Sequence, residues 1–157
     1  MKPIEEIKKD IEGQIPGAQI AVEGTPKPGL LISKEHWFEA AKFLKEDSDY
    51  ACDYLSCVTG VDYKEHLEVV YHLYSIEKKE GPIAIKVRTD RTESRIPSVT
   101  PLWRSAEYQE REAYDLVGVQ FEGHPDLRRI LMWDTFKHYP LRKDYVAEDQ
   151  DRPEADF

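Results

Sequence analysis

The chain has 157 residues, of which 40% are hydrophobic and 34% charged, and this composition is typical of a folded globular protein. Its net charge of −9 argues against nucleic-acid binding, which requires a net basic face. No apolar run approaches the roughly 20 residues of a membrane-spanning helix. The N-terminal residues lack the apolar core of a secretory signal, so we expect no export.

The negative charge is unevenly distributed. Residues 146–157 contain five acidic residues and one arginine, which makes the remaining body only mildly acidic. A charged, proline-containing terminus is poorly suited to packing. We therefore expect one domain over residues 1–145, followed by an acidic, mobile tail over residues 146–157.

Hydrophobic periodicity predicts two helices in the first third of the chain, over residues 2–13 and 34–46. The first places Ile4, Ile7 and Ile11 on one face. Ser33 is suited to cap the second helix. The apolar stripe of that helix comprises Trp37, Ala40, Ala41 and Leu44.

Alternating apolar residues predict short strands at 18–23 and 30–32, around the turn at 24–29. A third strand is expected through Tyr54, Leu55 and Val58, with a turn near Gly60. The strand signal over 66–76 is clearer and places four apolar side chains on one face: Leu67, Val69, Tyr71 and Leu73. Residues 83–88 then predict an antiparallel neighbour.

Near the C-terminus, Thr100 and Pro101 favour the start of a helix that runs to Val117 and ends at Gly118. A short strand signal follows at Phe121. Together these elements predict an α+β fold in two layers. Helices would pack on a mixed, mainly antiparallel sheet, and an extended segment would follow at the C-terminus.

The two cysteines, Cys52 and Cys57, are too few for a disulfide scaffold or a cysteine-rich zinc site. We expect both to be reduced, semi-buried structural residues. The sequence also contains no glycine-rich phosphate loop, CxxC pair or HExxH motif. These observations predict no cofactor or metal in this chain.

Glu110 falls within the apolar stripe of the last predicted helix, where a carboxylate is costly unless it is paired or neutralised. It is either a tuned acid or base, or one half of a structural ion pair. We favour the ion pair, with a partner among Arg128, Arg129 and Arg142. Arg111 lies four residues from both Glu107 and Asp115, so we expect these two to hold it on the helix surface.

His124, next to Pro125, is the other candidate for chemistry, as a proton donor, a ligand or a structural cap. No nucleophile or metal set accompanies it, so we favour a structural role. The Arg128-Arg129 and Arg142-Lys143 pairs are suited either to an anion or to an acidic partner and nearby carboxylates. We favour the second role, and the sequence predicts no catalytic residue.

At these positions the chain resembles a known family. The segments that carry the resemblance are Glu110-Arg111-Glu112-x-x-Asp115, Gly123-His124-Pro125-Asp126-Leu127-Arg128-Arg129 and Pro140-Leu141-Arg142-Lys143-Asp144-Tyr145. This pattern is similar to that of the C subunit of NADH-quinone oxidoreductase, which is a core component of the peripheral arm of respiratory complex I. Two positions depart from it, because Val117 replaces a bulky aromatic residue and Tyr139 is inserted between His138 and Pro140.

The resemblance implies a non-catalytic subunit at the cytoplasmic face of the cell membrane, attached there only through its complex. Its implied partners are the D subunit, called the quinone-site subunit below because it holds the quinone site, and neighbouring iron–sulfur subunits. FMN, iron–sulfur clusters, NADH and quinone would belong to the complex, which translocates protons. The signature residues would serve structure or docking: Glu110, Arg111, Glu112, Asp115, His124, Pro125, Asp126, Arg128, Arg129, Arg142, Lys143, Asp144 and Tyr145.

Three other interpretations stay open. The nearest is the equivalent subunit of a membrane-bound hydrogenase or an F420H2 dehydrogenase, which shares the scaffold and differs in electron donor. A free-standing enzyme that uses Glu110 and His124 would turn over substrate as an isolated chain. A plain interaction module would have no connection to respiration.

Overall fold

A computed structural model describes residues 2–147. Three helices and seven strands occur in that part of the chain. In chain order they are α1 (Ile4–Gln14), β1 (Ala21–Glu23), β2 (Gly29–Ile32), α2 (Lys34–Glu46), β3 (Tyr54–Asp62), β4 (Leu67–Ser75), β5 (Glu80–Thr89), β6 (Arg95–Pro97), α3 (Ala106–Val117) and β7 (Gln120–Glu122). The α+β class predicted from the sequence is confirmed.

Five strands form the main sheet in the order β1-β2-β5-β4-β3. Only the β2–β5 contact is parallel, and the other three neighbouring pairs are antiparallel. The prediction of a mixed, mainly antiparallel sheet is therefore correct. Strands β6 and β7 form a separate parallel pair beside α3.

The core lies between this sheet and the apolar faces of the helices. The four predicted inward residues of β4 are fully buried, as is the predicted stripe of α2. Trp37 of α2 packs on Tyr71 of β4, with 4.4 Å between the ring centroids. Ile7 and Ile11 of α1 are also fully buried, so the helical spacing of these isoleucines identified the buried face.

The predicted turn near Gly60 is wrong, because β3 continues through this residue to Asp62. Gly60 is needed for packing rather than for turning. A Cβ atom placed on it would lie 3.2 Å from Cγ2 of Val117 and 3.4 Å from Cβ of Ala113. The absence of a side chain lets α3 pack closely against β3, and the chain reverses only at residues 63–66.

The predicted helix start at Pro101, with Thr100 as its cap, is also wrong, since α3 begins at Ala106. Tertiary hydrogen bonds hold the preceding residues in turns. Trp103 Nε1 donates to the carbonyl of Cys52 at 3.0 Å, and Ser105 Oγ donates to the carbonyl of Leu55 at 3.0 Å. The predicted end is correct, because Gly118 adopts φ +86°, the left-handed conformation that closes a helix.

Both cysteines are free. Cys52 is buried and Cys57 is half-buried in β3. Burial raises the pKa of the Cys52 thiol to about 12, which keeps it protonated and unreactive. The position of Cys57 agrees with the predicted semi-buried role, whereas Cys52 is more completely buried than predicted and lies before β3.

None of the helices described between residues 2 and 147 is long and apolar enough to cross a membrane. Most of the predicted acidic tail, residues 148–157, lies outside the described residues.

Substituting Gly60→Val should test the close approach of α3 to β3. Valine suits a strand, so a loss of stability would arise from the clash with Val117 and Ala113. We expect about 1–3 kcal/mol lower free energy of unfolding in urea. Thr59→Val, at the exposed neighbouring position of the same strand, is the control and should change stability little. Equal effects of the two substitutions would contradict this packing role.

Candidate functional site

The signature residues meet where the chain returns across α3 after β7. Residues 123–147, called the C-terminal segment below, form turns and extended chain, with no helix or strand. The backbone of this segment bonds directly to α3 where the N–H of Leu141 donates to the carbonyl of Leu116 at 2.9 Å. Most of its other contacts with α3 involve side chains.

Asp115 is the first anchor of this segment. Its carboxylate is fully buried and accepts four hydrogen bonds. The backbone N–H groups of Ile130, Leu131 and Met132 donate to Oδ2 at 3.0, 2.7 and 2.9 Å. Arg129 Nη1 donates to Oδ1 at 2.6 Å. Burial acts to raise the pKa of this carboxyl, but these donors outweigh it and lower the pKa below its usual value.

Arg129 joins three parts of the site. Besides the Asp115 carboxylate, its guanidinium donates to the carbonyls of Asp115 at 2.9 Å and His138 at 3.0 Å. Its Cζ lies 5.3 Å from the ring centroid of Phe136 and 5.4 Å from that of Tyr139. Only 10% of the Arg129 side chain is exposed, so its guanidinium group binds within the chain and is largely inaccessible to a partner.

The predicted environment of Arg111 is wrong. This residue is buried and forms no ion pair with Glu107 or Asp115. Its guanidinium instead donates to the carbonyls of Arg128 at 3.1 Å and Arg129 at 3.0 Å. The reason is that the segment crosses α3 without strand pairing, so its carbonyl groups need side-chain donors.

The predicted structural role of His124 agrees with its contacts. Its Nδ1 accepts from the backbone N–H of Asp126 at 3.0 Å, which leaves the proton on Nε2. Nε2 then donates to the carbonyl of Glu107 at 2.9 Å. Both ring nitrogens are thus occupied. Pro125 is exposed beside them, and Asp126 forms an exposed ion pair with Arg128 at 2.8 Å.

The second basic cluster anchors the segment to the ends of α3 and β3. Arg142 Nε donates to the carbonyl of Val117 at 2.7 Å. The N–H of Lys143 donates to Asp62 at 2.8 Å, and Asp144 pairs with Arg91 at 2.8 Å. Arg91 also pairs with Asp62, so the hydrogen bond of Lys143 and the ion pair of Asp144 belong to one network.

Sequence reasoning missed the role of Tyr139, although it noted this residue as an insertion. The ring of Tyr139 stacks under the guanidinium of Arg142, with 4.6 Å from Cζ to the ring centroid. A Cβ atom on Gly118 would lie 2.6 Å from this ring. Tyr145 lies farther along, with its ring centroid 6.3 Å from that of Phe136.

Glu110 does not form the predicted ion pair with an arginine. Its fully buried carboxylate accepts from Ser98 Oγ at 2.7 Å and from the N–H of Val99 at 2.8 Å. Burial raises the pKa of this carboxyl to about 7, and the two hydrogen bonds only partly oppose the shift. Glu110 therefore fixes the connector before α3. The hydrogen bonds of Glu110 are separate from those of His124. Glu112, by contrast, is exposed on α3.

Four apolar side chains of the C-terminal segment point to solvent. We call this set the docking face, and its exposed fractions are 37% for Ile130, 62% for Leu131, 60% for Leu141 and 76% for Val146. The roles predicted for these loops from the sequence rest on their charged residues and do not include this face. Ile130 and Leu131 are adjacent in sequence, and Leu141 and Val146 follow later in the same anchored segment.

Within residues 2–147, no group of histidine, cysteine, aspartate or glutamate side chains is arranged to hold a metal ion. The signature residues of that region are mostly occupied by structural hydrogen bonds. The arrangement therefore provides a surface that these hydrogen bonds hold in place.

Comparison with known proteins identifies the family. The family model described as "Respiratory-chain NADH dehydrogenase, 30 Kd subunit" matches residues 30–151. The chain belongs to this family. The match runs from β2 through the C-terminal segment, so it includes every signature residue identified from the sequence.

Two relatives are each named as the C subunit of an NADH-quinone oxidoreductase. That of Chloroherpeton thalassium is 44% identical over 114 residues, which cover 72% of this chain and 48% of the relative. The chain thus matches about half the length of that protein. The relative from Moorella thermoacetica is also 44% identical, over 125 residues that cover 78% of this chain and 82% of the relative.

Two solved structures share the fold. A trypsin-resistant fragment of Nqo5 has a TM-score of 0.61 and 32% identity, covering 79% of this chain and 98% of the fragment. A chain of the membrane-bound sulfane sulfur reductase, an archaeal respiratory membrane complex, has a TM-score of 0.67 and 27% identity. That match covers 95% of this chain and 98% of the other.

Substituting Asp115→Asn should loosen the C-terminal segment. It removes the charge that balances Arg129, and we expect a loss of about 2–4 kcal/mol in the free energy of unfolding. Amide hydrogen exchange at Ile130–Met132 should accelerate. Asp126→Asn, which breaks an exposed ion pair, should cost less than about 1 kcal/mol. Unchanged exchange at Ile130–Met132 in Asp115→Asn would contradict the anchor.

Glu110 should make stability depend on pH. Its carboxyl binds a proton more tightly in the folded chain, so its contribution is fully present below pH 4.5 and is lost as the pH rises through about 7. The loss approaches about 3 kcal/mol. Glu110→Gln should therefore gain stability relative to the parent between pH 5 and pH 8, whereas Glu112→Gln should not. Parallel pH profiles for Glu110→Gln and the parent would refute the assignment.

Proposed function

We propose that this chain is a non-catalytic core subunit in the peripheral arm of a proton-translocating NADH-quinone oxidoreductase. In this role it scaffolds the quinone module beside the quinone-site subunit and the neighbouring iron–sulfur subunits. The observation that carries the proposal is the C-terminal segment, whose charges bind the chain itself and whose apolar side chains face outward. Such a segment is built to hold a neighbour rather than to transform a substrate.

The redox groups would reside in other subunits under this proposal. FMN, iron–sulfur clusters, NADH and quinone serve the complex, and the isolated chain is inactive. The engagement of His124 and Glu110 in separate structural networks supports this division, because neither is positioned as a partner for the other. The chain would lie at the cytoplasmic face of the cell membrane through its complex alone, with residues 1–145 as one domain.

The chemistry of the partner surface follows from the docking face. The segment presents exposed charges of both signs, since Arg128, Lys137 and Lys143 are exposed and so are Asp126, Asp134 and Asp144. A complementary partner offers an apolar patch with a polar border that carries both signs of charge. We assign this surface to the quinone-site subunit.

Substituting Leu131→Asp should prevent assembly without unfolding the chain. Leu131 is 62% exposed, so its removal costs little folding energy, whereas a buried charge at an interface is strongly unfavourable. We expect at least about a tenfold loss of the co-purified quinone-site subunit, which corresponds to about 1.4 kcal/mol.

The matched control for this substitution is Ile76→Asp. Ile76 is also 62% exposed but lies beyond β4, away from the segment. It should assemble normally, and both variants should retain the parental circular dichroism spectrum. Equal recovery of the quinone-site subunit with Leu131→Asp and Ile76→Asp would refute the docking face.

A second candidate is the equivalent subunit of a membrane-bound hydrogenase or an F420H2 dehydrogenase. Its support is the match to a chain of the sulfane sulfur reductase complex, which covers 95% of this chain. A scaffold shared between complexes does not specify the electron donor. The native complex should therefore be purified and assayed with NADH, F420H2 and hydrogen. We expect activity with NADH, and a complex that accepts only hydrogen or F420H2 would establish the second candidate.

A further inference from the structure

A cavity of about 410 Å³ is lined by residues that are distant in sequence from the docking face. It is enclosed by the start of α1, the loop before β2 and the region where β5 begins. Its apolar wall is dominated by proline rings and includes Pro3, Ile4, Pro26, Pro28 and Pro82. The volume falls within the roughly 300–1,000 Å³ typical of small-molecule sites. Among the described residues, no part of α3 or of the C-terminal segment lines it.

Three side chains with nitrogen donors also line this cavity. Lys2 is occupied, because its Nζ pairs with Asp10 at 2.8 Å and with Asp49 at 2.9 Å. Lys27 is exposed and forms no ion pair with any residue from 2 to 147. The imidazole of His72 makes no hydrogen bond within the same range. Two donors are thus available to a ligand.

The charge of the lining is unusual for this chain. The sequence contains 31 acidic residues against 22 lysines and arginines, yet no aspartate or glutamate in the described part of the chain lines the cavity. The neighbouring carboxylates of Asp10 and Asp49 are bound to Lys2. Among residues 2–147, the lining would offer a cation the nitrogen donors Lys2, Lys27 and His72 and no carboxylate. An anion would find the ammonium group of Lys27 beside an apolar wall.

We infer that this cavity binds a small apolar monocarboxylate. The hydrocarbon body packs against the proline rings and Ile4, where it is removed from water. The carboxylate meets the Lys27 ammonium group at the rim in a charge-assisted hydrogen bond. A phosphate or a metal ion fits poorly, because most of the wall is apolar and its described residues offer no carboxylate to coordinate a metal.

The test uses the 157-residue chain and hexanoate as the probe. Titration followed by ¹⁵N–¹H NMR should shift the amide signals of Lys27, His72, Gly81, Ile83 and Ala84. Lys27→Gln should weaken hexanoate binding by about two- to fivefold, the scale of one ion pair at an exposed lysine. The neutral analogue 1-hexanol should bind the parent chain correspondingly more weakly.

Two variants serve as controls. Lys42→Gln removes an equally exposed lysine outside the cavity and should bind hexanoate like the parent. Ala84→Val reduces the space inside the cavity without changing its charge and should also weaken hexanoate binding. Three results would each overturn the inference: no shifts at the lining residues, equal binding of hexanol and hexanoate, or equal affinities of Lys27→Gln and Lys42→Gln.

Discussion

The buried carboxylate of Asp115 is the interaction on which the position of the C-terminal segment depends. A fully buried charge is tolerated only when its hydrogen-bonding capacity is filled, and here Arg129 and the N–H groups of Ile130–Met132 fill it. The segment has no helix or strand to hold it, and its direct backbone bond to α3 is that between Leu141 and Leu116. Its course is therefore set by side-chain anchors, of which Asp115 satisfies the most donors.

Two glycines let helix α3 pack closely against the sheet on one side and against this segment on the other. Gly60 lets Val117 and the rest of the helix approach β3, which fixes α3 relative to the core. Gly118 ends the helix and leaves room for the ring of Tyr139, on which Arg142 stacks. A rigid sheet thus supports a rigid helix, and the helix holds an otherwise irregular segment in one conformation. A surface fixed in this way binds a partner with less loss of conformational entropy than a mobile loop.

The sequence predicted most of what depends on local periodicity. Helix α2, the inward face of β4 and the α+β class were correct, because the apolar spacing of these elements reflects burial directly. The errors at Gly60 and at the start of α3 share one cause, which is tertiary contact overriding local preference. The same holds for Arg111 and Glu110, whose partners are backbone groups and a serine distant in sequence. Charge spacing along a helix cannot identify backbone partners from another segment.

Two buried acids on one helix show how partner number decides the state of a carboxyl group. Glu110 accepts two hydrogen bonds from neutral donors, Ser98 and Val99, and burial prevails, so its pKa is raised. Asp115 accepts three backbone hydrogen bonds and pairs with Arg129, so its pKa is lowered despite complete exclusion from water. Asp115, which anchors the segment, consequently stays charged across the physiological pH range. Glu110, which holds the connector before α3, changes its protonation within that range. The position of the C-terminal segment therefore depends on the acid whose pKa is lowered, and not on the acid whose pKa is raised to about 7.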